Sequence, residues 1–334
     1  MSTRTTGPAE NGSMRAILAV EAGGSVELRT ESMPVPDAGD GLLVAVEVAG
    51  VAYPDVLQLS GQYQVNRSFP FVPGSEAVGT VVSAPPGHEH LLGTRVIAVT
   101  PSGAWQERVA VPVDAAFAVP GQLSAAQASL MLLNHVAAYF GLVTRGGAKP
   151  GETLVVHGAA GGIGGAAVQV GSALGLRTIA VTSTPAKAEH ARALGAHHTV
   201  AADNWKLAVE DIAGPAGVDL LFDPVTGDRF DDGLRVLAPG GRLLVIGFLG
   251  GAIPQVKINR LLLRNISLVG VAAGAWMQRH PHQLAELWSG LTALVEKGAI
   301  KPPEPDSAFP LERAADAVAS LSERRAVGKV VLMV

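Results

Sequence analysis

Residues 153 to 164 read Thr-Leu-Val-Val-His-Gly-Ala-Ala-Gly-Gly-Ile-Gly. The apolar run Leu154–Val156 has the length of a buried strand, and the turn after it is built only of Gly and Ala. An apolar helical pattern follows through Ile163, Ala166/Ala167, Val170 and Ala173/Leu174. This order predicts a strand, a tight turn and a helix whose first N–H groups face the turn. Those free N–H groups and the positive end of the helix dipole form a pocket for a phosphate. The turn carries the dinucleotide fingerprint as Ala159-x-Gly161-x-x-Gly164, with Ala at its first position. Ala160, Gly161, Gly162, Ile163 and Gly164 are therefore the expected cofactor contacts. A side chain on Gly161 or Gly164 would hold off the pyrophosphate or the packed strand. In a chain with 40 glycines, a bare packing turn is the competing reading.

Outward from this turn, strands and helices alternate. A strand is expected over Thr178–Thr182, a helix from about Ala186 to Leu194, and strands over Leu220–Phe222, Leu243–Gly247 and Ser267–Val271. Alternation of this kind predicts an α/β unit, a doubly wound parallel Rossmann sheet, over residues 126–274. Before residue 125 short β-like runs sit between Gly and Pro: Arg15–Val20, Leu42–Val51, Glu76–Val82, Arg95–Val99 and Arg108–Val111. They predict an irregular, barrel-like β domain. The segments after 274, a helix over about 282–297 and a final strand over Gly328–Val334, have no place in a six-stranded Rossmann sheet. They are assigned to the first domain, which then comprises residues 14–125 and 275–334. Residues 1–13 are polar and read as a disordered lead-in.

Composition narrows the classes. The chain has 334 residues, of which 16% are charged and 4% aromatic, with a net charge of −4. Lys and Arg are scattered, so no basic stripe points to nucleic acid or to a membrane surface. There is no cysteine, which removes disulfides and thiolate metal sites. The apolar stretch Leu130–Val143 is short for a bilayer span. The expectation is a soluble, cytoplasmic protein acting on a small molecule. No Gly-x-Ser-x-Gly elbow supports a hydrolase, and Gly328-Lys329 is followed by Val rather than by the Ser or Thr of a kinase-type phosphate loop.

In a Rossmann unit that binds NAD, an acid some twenty residues beyond the glycines holds the ribose 2′-hydroxyl. Here the strand ends in Thr182-Ser-Thr-Pro-Ala-Lys187. The hydroxyls of Thr182, Ser183 and Thr184 and the Lys187 ammonium suit a 2′-phosphate, which a carboxylate would repel. NADPH is the expected cofactor; a capped helix with an ordinary surface lysine is the other reading.

With these residues in place, the sequence resembles the zinc-free quinone oxidoreductase (zeta-crystallin-like) branch of the medium-chain dehydrogenase/reductase superfamily. The resemblance runs from Met14 to Val334. It rests on Gly50-Val-Ala-Tyr-Pro-Asp55, Ser60-Gly-Gln-Tyr63, Val72-Pro-Gly-Ser-Glu-Ala-Val-Gly79 and the turn His157–Gly164. Leu194-Gly-Ala196, Asp223-Pro-Val-Thr-Gly227, Ile246-Gly-Phe248 and Gly328-Lys-Val-Val-Leu332 add to it.

The resemblance implies a GroES-like first domain and NADPH-dependent reduction of quinones or activated α,β-unsaturated carbonyls. It leaves open an enoyl-thioester (enoyl-CoA-type) reductase, and a non-catalytic NADPH-binding protein. It adds Val225, Phe248 and Arg324 to the cofactor contacts and turns Tyr63 and Tyr53 toward the cleft as catalytic candidates. A tyrosine hydroxyl there could stabilise oxyanion charge or deliver a proton. Ser75 stands where the zinc-dependent relatives carry a histidine, and zinc needs three protein ligands, so no metal is expected. Ala52 and Ala137 replace the Asn and Thr of many quinone reductases, which makes the site more apolar. The pairs His88/His90, His197/His198 and His280/His282 are expected in loops or turns, and Asp55 in a local cap. The last sheet strand, Ser267–Val271, leaves an open edge that a second copy could pair with, so a homodimer is expected.

Overall fold

The computed structural model describes residues 12–63, 67–305 and 307–334. Most of the expected lead-in lies outside the described residues, and Ser13 already opens the first strand. The chain divides into two compact units. One takes the chain up to Ser129 with Ala308–Arg325 and Val330–Val334, and the other takes Leu130–Ser307 with Ala326–Lys329.

In chain order the first unit contributes β1 (Ser13–Ala22), β2 (Ser25–Pro34), β3 (Leu42–Val51), β4 (Glu76–Ser83), β5 (Arg95–Val99), β6 (Arg108–Val111) and β7 (Ala116–Ala118). The second contributes β8 (Thr153–Val156), β9 (Arg177–Thr182), β10 (His198–Ala201), β11 (Val218–Asp223), β12 (Leu237–Val245) and β13 (Ser267–Gly270). The chain ends with β14 (Ser307–Pro310) and β15 (Val330–Met333).

The first unit is a seven-stranded sheet in the order β14-β15-β3-β4-β5-β7, with β6 on β3 and a separate β1–β2 hairpin. The pairings of β3 with β15, β4 and β6, and of β5 with β4 and β7, are antiparallel. Its core is anchored by Trp105, fully buried, whose indole N–H donates to Gly50 O at 3.0 Å. Gly74 explains part of the Val72–Gly79 block. At φ +95° it takes a left-handed conformation, and a Cβ there would lie 2.3 Å from the Trp105 ring. Strand β2 has an alternating polar sequence and a largely exposed surface, so it lacks the apolar run that marks its neighbours.

The second unit is a six-stranded sheet in the order β10-β9-β8-β11-β12-β13, parallel throughout. All four residues of β8 are buried, as expected for a central strand covered on both faces. Val155, Ile179, Val181, Trp205, Leu221 and Leu243 pack into one core on one face. Each such side chain removed from water contributes about 1.5–3 kcal/mol. Strand order reverses beside β8, between β9 and β11, and ligands of doubly wound sheets bind beyond the strand ends at such a point. Strand β10 has four residues, only one of them fully buried, so His198 lies in a strand rather than in the expected loop.

One boundary differs markedly from the sequence reading. The return to the first unit, expected at residue 275, comes at Ala308. The helix His282–Glu296 buries Leu287, Trp288, Leu291 and Val295 along one stripe in the second unit. A Cβ on Gly290 of this helix would lie 2.9 Å from the Tyr139 hydroxyl, so Tyr139 is a packing residue. The helical stretch Ala125–Arg145, 21 residues, is long and apolar enough to cross a membrane. Its length therefore does not exclude a span; 61% burial of its apolar window marks it as a core helix.

Candidate dinucleotide site

The turn after β8 is held by backbone bonds. His157 N–H donates to Phe222 O at 3.1 Å, Ala159 N–H to Val181 O at 3.3 Å, and Gly161 N–H to Gly158 O at 3.0 Å. The left-handed residue is Gly158, at φ +59°. Ala159 is fully buried and its φ is not positive, which explains why Ala is accepted at the first fingerprint position. Gly161 caps the helix Gly162–Ala173.

The glycines differ in what they make room for. A Cβ on Gly164 would lie 2.2 Å from Gly158 O, and one on Gly162 would lie 2.6 Å from Asn134 Nδ2. A Cβ on Gly161 would meet only Gly158 O, at an ordinary 3.4 Å. The protein itself thus requires Gly164, whereas the space over Gly161 is open to a ligand. Among the described residues, no backbone carbonyl accepts from the N–H groups of Gly162, Ile163 and Gly164. These orphan donors and the small residues beneath them fit a pyrophosphate.

Beside the turn runs a strap from the end of β11. Asp223 is fully buried; its Oδ1 accepts from Val225 N–H at 2.9 Å and Thr226 N–H at 2.8 Å. Thr226, 1% exposed, has φ 51° and ψ −126°, a conformation that costs a β-branched residue about 1–3 kcal/mol. Its hydroxyl donates to Gly247 O at 3.1 Å, and Gly250 N–H donates to Val225 O at 2.7 Å, joining the strap to the loop that carries Phe248. The Val225 side chain reaches the turn, 3.4 Å from where a Gly158 Cβ would stand. Phe248 is 43% exposed.

At the end of β9, Thr182 is buried and Ser183 exposed. Thr184 caps the helix Pro185–Ala193 by accepting from Lys187 N–H at 3.3 Å. The first acid beyond the strand, Glu189, is engaged by Arg192.

Gly328 and Lys329, expected in the last strand, both stand at the turn. Gly328 N–H donates to Ala160 O at 2.8 Å and bridges Gly161 in parallel. Lys329 is 3% exposed and lines a cavity on the flank of the helix with Asn134, His135, Gln169, His190 and Glu304. His135 Nε2 lies 2.8 Å from Gln169 Oε1, and Gln169 Nε2 donates to Lys301 O at 3.2 Å. Only the chain's late return brings these residues here, and no local pattern announces it.

The remaining candidates belong to the first unit. Tyr53 opens the helix Tyr53–Leu59 and is 37% exposed. Tyr63 is half-buried, and its N–H donates to Leu57 O at 3.1 Å. Asp55 is a local cap, as expected: Oδ2 accepts from Ala52 N–H at 2.7 Å and Oδ1 from the Ser75 hydroxyl at 3.1 Å. Arg324 follows the helix Ala314–Ser322 at φ 58° and belongs to the first unit, whereas the turn belongs to the second. No group of three His, Asp or Glu residues suited to a metal ion occurs among the described residues.

Comparison with known proteins matches both units. The family described as "Zinc-binding dehydrogenase" matches residues 162–291, and "Alcohol dehydrogenase GroES-like domain" matches residues 38–121. Quinone oxidoreductase-like protein 2 of Bos taurus is 32% identical over 306 residues, covering 90% of this chain and 87% of that protein. A probable oxidoreductase from Mycobacterium abscessus is 39% identical, with TM-score 0.87 over 97% of this chain and 100% of its own. The quinone oxidoreductase of Thermus thermophilus, solved also in complex with NADPH, is 33% identical, with TM-score 0.82 over 96% and 100%. The chain belongs to the quinone oxidoreductase-like oxidoreductases of the medium-chain dehydrogenase/reductase superfamily.

Proposed function

We propose that this protein is an NADPH-dependent, zinc-independent reductase of quinones or activated α,β-unsaturated carbonyls. The observation that carries the reading is the turn at 158–164, with its orphan N–H groups and the open space over Gly161. NADPH bound there supplies a hydride from its nicotinamide. Gly162, Ile163 and Gly164 hold the pyrophosphate, with the buried Lys329 ammonium adding positive charge on the same flank. Thr182, Ser183 and Lys187 take the 2′-phosphate, and Val225 and Phe248 pack on the cofactor. The Tyr63 hydroxyl donates to the acceptor oxygen, first as a hydrogen bond to the developing charge and then as the proton; Tyr53 is the second candidate. Zinc independence is supported by the cysteine-free sequence and by Ser75, which is bound to Asp55.

The protein is proposed to act as a homodimer. Strand β13 is the edge of its sheet, and the helix Asn259–Arg264 leading into it exposes Leu262 and Leu263 at 75% each, with Ile258 beside them at 75%.

The test is a panel of quinones, enones and enoyl-CoA esters with NADPH or NADH in the presence of a chelator. The expected outcome is NADPH oxidation with at least one class, unaffected by chelation. Turnover restricted to enoyl-CoA esters would move the assignment to the thioester reductase. Binding of NADPH without turnover on any acceptor would favour the non-catalytic reading.

A further inference from the structure

Asp223 ends β11 and His157 directly follows the adjacent strand β8, at the strand-order reversal, and both are fully buried. His157 Nδ1 lies 3.0 Å from Asp223 Oδ1, the oxygen that already takes the Val225 and Thr226 N–H groups. Neither ring nitrogen nor Asp223 Oδ2 makes a well-angled hydrogen bond among the described residues, and the imidazole stands edge-on against Trp205 at 4.5 Å. Burial alone would make a carboxylate here expensive, yet His157 and the Thr226 and Val225 N–H groups outweigh it and hold the Asp223 carboxyl below its usual range. An amide oxygen could accept the same two N–H groups. The charge does strengthen those bonds, and they hold Thr226 at a positive φ that a β-branched residue otherwise avoids. The strained strap then keeps Val225 against Gly158, the left-handed residue that starts the phosphate turn.

We propose that Asp223 is a positioning residue that uses Thr226 and Val225 to preform the turn at 158–164 before the cofactor arrives. The proposal rests on the reading of that turn as the NADPH site. Its energetic logic is preorganisation: strain held in the free protein lowers the ordering cost at binding.

The test uses the whole protein with Asp223→Asn, which keeps an acceptor but removes the charge, and Thr226→Ala, which removes the γ-methyl and the hydroxyl with its contacts to Val225 O and Gly247 O. NADPH affinity is read by nicotinamide fluorescence, and amide hydrogen exchange is read at 158–164 and 224–227 without cofactor. For Asp223→Asn the expected results are an NADPH Kd raised about tenfold and faster exchange confined to those two segments. Turnover at saturating NADPH should stay within about twofold, because the reacting groups are untouched. Thr226→Ala should shift Kd and exchange in the same direction by less. Wild-type exchange in the turn of Asp223→Asn would overturn the proposal. So would faster exchange spread evenly over β8, β9, β11 and β12, the mark of a merely structural role. If the wild-type protein bound no NADPH, the cofactor reading would fall, while the exchange measurements would still decide whether Asp223 presets the turn.

Discussion

Gly164 and Gly158 meet backbone to backbone: a Cβ on Gly164 would stand 2.2 Å from the Gly158 carbonyl oxygen, deep inside contact distance. Gly161, three residues earlier, has no such conflict. Gly164→Ala should therefore cost about 3 kcal/mol or more of stability, because backbone rather than a flexible side chain would have to move. Gly161→Ala should unfold at nearly the wild-type denaturant concentration. Equal loss in both, measured by urea unfolding, would contradict the division of roles between the two glycines.

Lys187→Ala should weaken NADPH binding by about 1–3 kcal/mol, the worth of a hydrogen bond to a charged group, and leave NADH binding nearly unchanged. Titration of both cofactors against both proteins measures it. Equal losses for the two cofactors would remove Lys187 from the 2′-phosphate site.

Tyr63→Phe should lower turnover by about 10²-fold at saturating NADPH, as loss of one oxyanion donor commonly does. If Tyr63 only packs near the nicotinamide, the Phe variant should keep its turnover while Tyr63→Ala loses NADPH affinity. Steady-state kinetics of both variants separates the two roles.

Replacing Leu262 and Leu263 by Asp should convert a dimer to a monomer in light scattering, since two exposed leucines beside an open strand edge would gain charges facing their copies. A wild-type protein that is monomeric at micromolar concentration would refute the assembly.

Glu152 ties the root of β8 to β12: Arg242 Nη1 and Nη2 donate to its two oxygens at 2.9 and 2.8 Å. Burial pushes the Glu152 carboxyl up, but the Arg242 guanidinium and the Lys149 N–H outweigh it and hold it below the usual value. A carboxylate whose pKa is lower folded than unfolded stabilises fully above its unfolded pKa, about 4.3, and loses that contribution as pH falls through the folded value. Glu152→Gln should cost about 1–3 kcal/mol near neutral pH. The gap to wild type should close in strong acid; a pH-independent gap would assign the loss to packing.

Much of the Rossmann unit was legible because its signals are local. The run at β8, the Gly-Ala turn and the Thr184 cap with Pro185 each announce an element within a dozen residues. Strand β10 was missed because its four residues present little apolar surface. The helix His282–Glu296 is legible as a helix but not in its unit, since an amphipathic stripe states that a face is buried without naming its partner. Ala160 to Gly164 lie in one turn, and the Val225 side chain reaches Gly158 at its start. Lys329 at the turn could not be foreseen, because Gly328 pairs with Gly161 across half the length of the chain. The reason Ala159 replaces a glycine became visible only with the φ of Gly158.

The most direct test of the central claim, that the turn at 158–164 holds NADPH for reduction of an acceptor, is acceptor-dependent NADPH oxidation by wild type and Gly161→Ala side by side. The account predicts that wild type oxidises NADPH only when a quinone or activated enone is present. It also predicts that Gly161→Ala, folded and of near-normal stability, loses about tenfold or more in kcat/KM for NADPH because its methyl occupies the pyrophosphate position. Undiminished activity in Gly161→Ala, or no oxidation by wild type with any acceptor class, would contradict it.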